Sequence, residues 1–261
     1  MHIVTPYAKI VNFMGLPPDR RSEPFETWRP FGIQAVRFIE ETGRKCYRSE
    51  GTGTEESYTQ FLSQHALASR HTSMLRFSQV VVDFMIDRGV AQEVTRHGAT
   101  MDYQHESQRY CNYSKGKFGS SVGFIKPRGL TASQDVTWSS GMLSAEAHYF
   151  DLLTDGCKPQ IAADVLPRAT ASLLSVVANL QGWRHFLLTR STKQCHPKLL
   201  NTTVDDLLVD ENGNVIPSDA LADQTAHLQP SLLTQFKAVF PLIFDDNEPY
   251  GDFVENMKKA R

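Results

Sequence analysis

Gln79-Val-Val-Val-Asp-Phe-Met-Ile86 is the clearest strand in the chain. Val80, Val82, Phe84 and Ile86 recur at the two-residue period that sets them on one face, while Val81, Asp83 and Met85 take the other. A strand with one wholly apolar face needs helices laid against it, and its flanks offer them. Upstream, Ile33, Val36, Phe38 and Ile39 carry helical spacing that ends near Gly43, within a segment from Ile33 to Tyr47. Thr52-Gly-Thr-Glu55 has the form of a capping box, which predicts a helix through Tyr58, Phe61, Leu62 and Leu67. Downstream, Asp87-Arg-Gly89 closes the strand, and Val90 to Thr95 reads as a short helix that delivers Arg96.

Further out, Met1 to Phe13 reads as a first strand anchored by Ile3, Tyr7, Ile10 and Val11, and Thr170 to Asn179 as another. Val122, Phe124 and Ile125 suggest a short strand. Helical pattern covers Val136 to Leu153, Pro159 to Leu166, Leu180 to Thr189 and a last helix from Leu232 to Phe244. Asp210-Glu-Asn-Gly-Asn214 reads as a tight turn at a hairpin tip. The mixture is α+β. With 261 residues and no Gly/Ser, Pro-rich or single-charge run to mark a linker, one domain over 1–261 is expected.

A net charge of -2 gives no long-range attraction to nucleic acid or to an anionic membrane, so an anionic ligand has to be held by a local cluster. Cys46, Cys111, Cys157 and Cys195 are scattered, without a C-x-x-C pair, which fits a reducing cytoplasm better than a disulfide scaffold. Neither a signal peptide nor an apolar run of membrane-spanning length is seen, and no membrane association is expected. Nine histidines raise the question of a metal, but none has zincin or zinc-finger spacing, and no metal is expected.

The stretch from Thr95 to Ser114 is unlike the rest. It packs two Arg, two His, three Tyr, two carboxylates and two Gln into twenty residues with hardly an aliphatic side chain, and reads as the wall of a polar site. Arg109, Tyr110, Tyr113, Lys115, Lys117 and Phe118 also interleave cations and rings as single-strand nucleic-acid surfaces do, so a nucleic-acid-binding module stands as an alternative of a different class.

Arg44-Lys-Cys-Tyr47, His71-Thr-Ser-Met-Leu75, the strand end Asp87-Arg-Gly-Val90, Arg96-His97 and Glu106-Ser-Gln-Arg-Tyr-Cys-Asn-Tyr-Ser114 together resemble the flavin-dependent thymidylate synthases. Val165-Leu-Pro167, Asn179, Trp183-Arg-His-Phe186, Arg190 and His196-Pro197 resemble that family's second block, so the likeness covers residues 30–200 or so. It implies a mixed, largely antiparallel sheet with packed helices and a homotetramer whose active sites are shared between subunits. It also implies FAD as cofactor, NADPH as reductant and 5,10-methylenetetrahydrofolate as one-carbon donor to C5 of a pyrimidine deoxynucleotide monophosphate, by default dUMP to dTMP. A dUMP or dCMP hydroxymethylase is the alternative within the same chemistry.

By position the resemblance implies catalytic roles for Arg190, His97 and Arg96. It implies flavin contacts for His71, Ser73, Arg76, Arg96, His97, Asn179 and His185. Nucleotide contacts fall to Glu93, Arg96, Gln104, Glu106, Ser107, Gln108, Arg109 and Arg190. Arg44, Arg184 and Tyr110 are expected to be structural, and His65 and His105 solvated or packed. The chain departs from the pattern in five ways. Gly98 replaces the third residue of an Arg-His-Arg triplet, and the spacer from it to Ser107 is eight residues instead of seven. Arg76 replaces an acid, Ala163 replaces an arginine that in the family pattern helps to hold the nucleotide, and Gln181 replaces another arginine. Arg76 is expected to supply the flavin a cationic contact that Gly98 cannot, with the permissive glycine backbone letting the loop re-route.

Overall fold

The computed structural model describes the chain except residues 52, 55, 117, 118, 211–226 and 261. In chain order it runs β1 (His2–Ile3), β2 (Tyr7–Phe13), α1 (Arg29–Cys46), α2 (Ser57–Leu62), β3 (Gln79–Asp87), α3 (Arg88–Val94), β4 (Met101–His105) and β5 (Gly123–Phe124). Then come α4 (Ala132–Thr154), α5 (Pro159–Ala162), β6 (Ala171–Asn179), α6 (Leu180–Arg190), α7 (Pro197–Thr203), β7 (Leu207–Val209), β8 (His227–Gln229), α8 (Leu232–Val239), α9 (Pro241–Phe244) and α10 (Phe253–Ala260). The fold is α+β. Its central sheet has the order β2-β3-β6-β4, with every neighbour antiparallel.

The expected alternation of β3 is realised, since Val80, Val82, Phe84 and Ile86 are buried. They face Trp183 and Phe186 of α6, and the Trp183 indole N–H donates to the Val80 carbonyl at 3.0 Å. Helices α1 and α8 complete the same cluster through Val36, Ile39, Phe236 and Val239. Strand β2 is a sheet edge whose unpaired backbone would be costly to bury. Gln235 of α8 covers it: the Ile10 N–H donates to its side-chain oxygen at 2.9 Å, and its amide nitrogen donates to the Ala8 carbonyl at 2.7 Å. A second, smaller cluster gathers Tyr113, Val122, Phe124, Tyr149, Ala162 and Ala163.

Several expectations need correction. The first strand is two: β1 pairs in parallel with β5, β2 joins the main sheet, and Ile3 is exposed where an anchor was expected. The polar stretch contains strand β4, missed because only Met101 of its five residues is buried. The helix expected from Leu232 to Phe244 breaks before Pro241, which lacks an N–H, and α10 follows it. On the other face of β3, Asp83 accepts a hydrogen bond from the Ser175 hydroxyl across the ladder. The capping box at Thr52 and Glu55, and the turn beyond Asp210, lie outside the described residues. Among the described residues no helix is long and apolar enough to cross a membrane.

Arg184 is structural, as expected. Its guanidinium, 6% exposed, makes two 2.6 Å hydrogen bonds to the Asp246 carboxylate and donates to the Ile243 carbonyl. Burial alone would raise the Asp246 carboxyl, but the hydrogen bonds and charge of Arg184 win and hold it below its usual range. Asp246→Ala should cost about 2–3 kcal/mol, the low end for a broken buried pair because Asp246 is itself 43% exposed. A fall in the urea midpoint with an unchanged slope checks it, whereas a midpoint equal to the parent's would refute the anchoring role.

Candidate functional site

Two helices carry the site, and each is started by a side chain at one end of the β3–β6 ladder. Asp87, at the end of β3, accepts from the Val90 N–H at 2.8 Å to cap α3. Its second oxygen accepts from Lys198 at 2.5 Å, and that buried ammonium also reaches the Ile125 carbonyl at 3.0 Å. Asn179, at the end of β6, caps α6 by accepting from the Gly182 N–H at 2.9 Å.

The helices meet where α3 tightens into a 3-10 turn over Thr95–His97 and α6 ends at Arg190. The Arg190 Nε–H donates to His97 Nε2 at 2.9 Å, Nη1 to the Glu93 carboxylate at 3.2 Å and Nη2 to the Glu93 carbonyl at 3.1 Å. Arg96 shares that carboxylate at 3.3 Å with 69% of its side chain exposed. The Tyr103 hydroxyl, raised to about 12 by burial and by Asp102, braces the turn from below through the Val94 carbonyl at 3.1 Å.

A guanidinium does not give up its proton, so the His97 nitrogen facing it has to be an acceptor, and the ring is the neutral tautomer protonated at Nδ1. Burial, then the charge of Arg190, then His185 push His97 down from 6.5 to about 4. His185 stands 5.7 Å from the His97 ring, centroid to centroid, and is lowered by burial and by Arg190. With both imidazoles neutral, the two guanidiniums share one carboxylate and one positive charge is left for a ligand.

The other expected residues fall in two further places. After β4, the Glu106 carboxylate accepts from the Tyr113 hydroxyl and the Leu173 N–H, each at 3.2 Å, so it is committed to holding the loop. That bond turns Tyr113 inward, unlike a base-stacking ring, whereas Tyr110 is 76% exposed beside the Arg109 guanidinium and does not pack as expected. Ser107 accepts from the Arg109 N–H at 3.3 Å, Gln104 is exposed, and Gln108 Nε2 is buried without a partner among the described residues. Lys117 and Phe118 lie outside the described residues.

Near Asn179, a 3-10 turn over Thr72–Phe77 carries exposed Ser73 and Arg76. Arg76 Nε donates to the Gln181 side-chain oxygen at 2.5 Å, and Gln181 donates to the Thr72 hydroxyl at 2.8 Å. Two of the five departures are therefore one pair. His71 shares a 2.7 Å hydrogen bond with the Tyr47 hydroxyl. Gly98 has an ordinary helical φ of -56°, and a Cβ there would meet only the Thr95 carbonyl, at 3.7 Å. The expected reliance on glycine's backbone freedom is thus not found. Sequence reasoning also passed over Lys198, although it follows the His196-Pro197 pair, and left His105 as solvated or packed. His105 bonds the buried Ser172 hydroxyl at 2.9 Å, and burial and Arg88 lower it.

The pH behaviour of His97 follows. A depressed imidazole contributes stability that is present above 6.5 and lost as pH falls through about 4. Proton NMR of the ring should find a midpoint near 4 that moves back toward 6.5 in Arg190→Gln. A midpoint left unmoved by Arg190→Gln would show that Arg190 does not face this ring.

The thymidylate synthase complementing protein (Thy1) model matches residues 33–201. A flavin-dependent thymidylate synthase of Corynebacterium aurimucosum is 24% identical over 216 residues, which cover 74% of this chain and 84% of that relative. A crystal structure of the UMP/dUMP methylase PolB from Streptomyces cacaoi, bound with 5-Br dUMP, superposes with a TM-score of 0.61 at 16% identity, covering 94% of this chain and 96% of that one. A second PolB structure, bound with 5-Br UMP, gives 0.54 at 18% identity over 77% and 87%. With the family model spanning well over half its length, this chain belongs to the Thy1 family of flavin-dependent thymidylate synthases.

Proposed function

We propose that this protein transfers a one-carbon unit from 5,10-methylenetetrahydrofolate to C5 of a pyrimidine nucleotide, by default converting dUMP to dTMP, with FAD as cofactor and NADPH as reductant. Arg190 carries the reading. When C5 of the base attacks the methylene, electron density grows on the ring, and a guanidinium already fixed by His97 and Glu93 meets that charge without reorganising. His97 is the positioning group: neutral, it accepts the hydrogen bond from the Arg190 Nε–H and adds no competing charge. Glu93 divides one carboxylate between Arg190 and Arg96 and keeps both guanidiniums at the site.

The donor chemistry fits FAD. Arg96 and Arg76 are exposed guanidiniums suited to a diphosphate, and His71 and Ser73 add exposed imidazole and hydroxyl groups. With Asn179, His97 and His185 they are the residues that would hold it, and the bound flavin would supply the redox chemistry of the reaction. Gln104, Ser107, Gln108 and Arg109 would hold the nucleotide, with Glu106 fixing their loop through Tyr113 and Leu173. The nucleotide loop pairs at Leu173 and the flavin edge lies at Asn179, about 20 Å apart along β6. That separation favours a homotetramer with sites completed by neighbouring copies; each copy would be a single domain, at work in the cytoplasm. PolB is described as acting on UMP as well as dUMP, which keeps ribonucleotides among the candidate substrates.

A second reading, a dUMP or dCMP hydroxymethylase, is favoured by the missing side chain at Gly98, which would leave water more room to reach a transferred methylene. Mass spectrometry decides between them. With dUMP or dCMP, methylenetetrahydrofolate and NADPH, the methylase adds CH2 and stalls without NADPH. A product carrying one further oxygen, formed without NADPH, would overturn the methylase reading. Arg190→Ala should slow turnover about 10²–10³-fold with flavin content little changed. Unchanged turnover would put the site elsewhere.

A further inference from the structure

We propose that Arg168 supplies the guanidinium for the nucleotide phosphate that the chain lacks at Ala163, with Arg88 as a positioning residue for the loop that shares the task. The inference rests on the reading that the ligand is a pyrimidine nucleoside monophosphate. Ala163 is buried in the cluster around Tyr113 and Tyr149, so no cation can come from that position. Five residues on, past Pro167, the chain makes a fixed turn: the N–H and hydroxyl of buried Thr170 both donate to the Pro167 carbonyl, at 3.0 and 2.7 Å. Arg168 is carried on that turn.

Its backbone is held against the start of α3, where the Gly89 N–H donates to the Arg168 carbonyl at 3.2 Å and the Arg88 N–H to the Thr170 carbonyl at 3.1 Å. The side chain then crosses Gly89. A Cβ there would lie 3.2 Å from Arg168 Nε and 3.4 Å from Nη2, so glycine leaves the guanidinium room to pass. Nη2 ends on the neutral side-chain oxygen of Gln92 at 3.3 Å. Among the described residues no carboxylate lies within ion-pair distance of Arg168, Arg88 or Arg109, whereas Arg44, Arg184, Arg190 and Lys198 each have one.

These three cations collect at one end of the sheet. Asp87 pairs with Ala171 there, and Glu106, leaving β4, donates its N–H to the Leu173 carbonyl. Arg88 Nη1 points at the Glu106 carbonyl, 3.5 Å away, and so steadies the residue before Ser107. In a chain of net charge -2, three guanidiniums without a carboxylate partner among the described residues, beside a loop of hydroxyl and N–H donors, match a phosphate dianion.

The test titrates the flavin-loaded protein with dUMP, UMP and dCMP, and with the nucleoside of whichever binds tightest. Arg168→Gln keeps an amide donor for Gln92 while removing the charge; Arg168→Ala removes both. Both variants should bind the nucleotide about ten- to a hundredfold more weakly and the nucleoside within twofold of the parent, with unchanged thermal midpoints. Nucleotide affinity within twofold of the parent, or equal losses for nucleotide and nucleoside, would overturn the assignment to Arg168 alone. A parent that binds none of the three nucleotides would overturn the proposed function and this inference with it.

Discussion

The pairing of β3 with β6 is the constraint from which the site follows. Its nine-residue register sets Gln79 against Asn179 and Asp87 against Ala171, so the two helix-capping side chains sit at opposite ends of one ladder. Each chain leaves its strand by turning into a helix that runs back along the sheet, and the two helices converge. A one-residue slip would turn Val80, Val82, Phe84 and Ile86 outward, and would also shift α3 against α6. The hydrogen bonds of Arg190 to Glu93 and His97 would not survive that shift.

Legibility in the sequence followed burial. β3, β6, α1, α4 and α6 were readable because at least one face of each must be apolar, and that imprints a period. β4 was not, because only Met101 of its five residues is buried and its backbone pairing leaves no trace in side-chain chemistry. α10 was missed for a similar reason: among its described side chains only Asn256 is buried, and it is polar, donating to the Leu188 carbonyl. The site was legible only as family blocks. No local pattern states that residues 93, 97 and 190 meet, since they do so through two helix caps and a register.

The departures from the family pattern divide into two kinds once they have places. Arg76 and Gln181 compensate each other, a cation and an amide in contact where the pattern has an acid and an arginine. Gly98 is a plain loss of side chain, because its backbone asks for nothing special. Changes of the first kind keep polar groups partnered, and those of the second kind alter what can approach the Thr95–His97 turn.

The aromatic ladder behind the sheet bears on where this chain begins to be a protein. Phe236 lies 5.4 Å from Trp183, Phe240 lies 5.1 Å from Phe13, and Asp246 grips Arg184 from beneath. All three lie beyond residue 201, where the match to the family model ends. The recognisable segment is therefore not the self-sufficient one. A fragment cut at that limit would keep every residue of the Arg190 cluster and expose the wall against which α6 is pressed, so the part that identifies the chain depends for its shape on the part that does not.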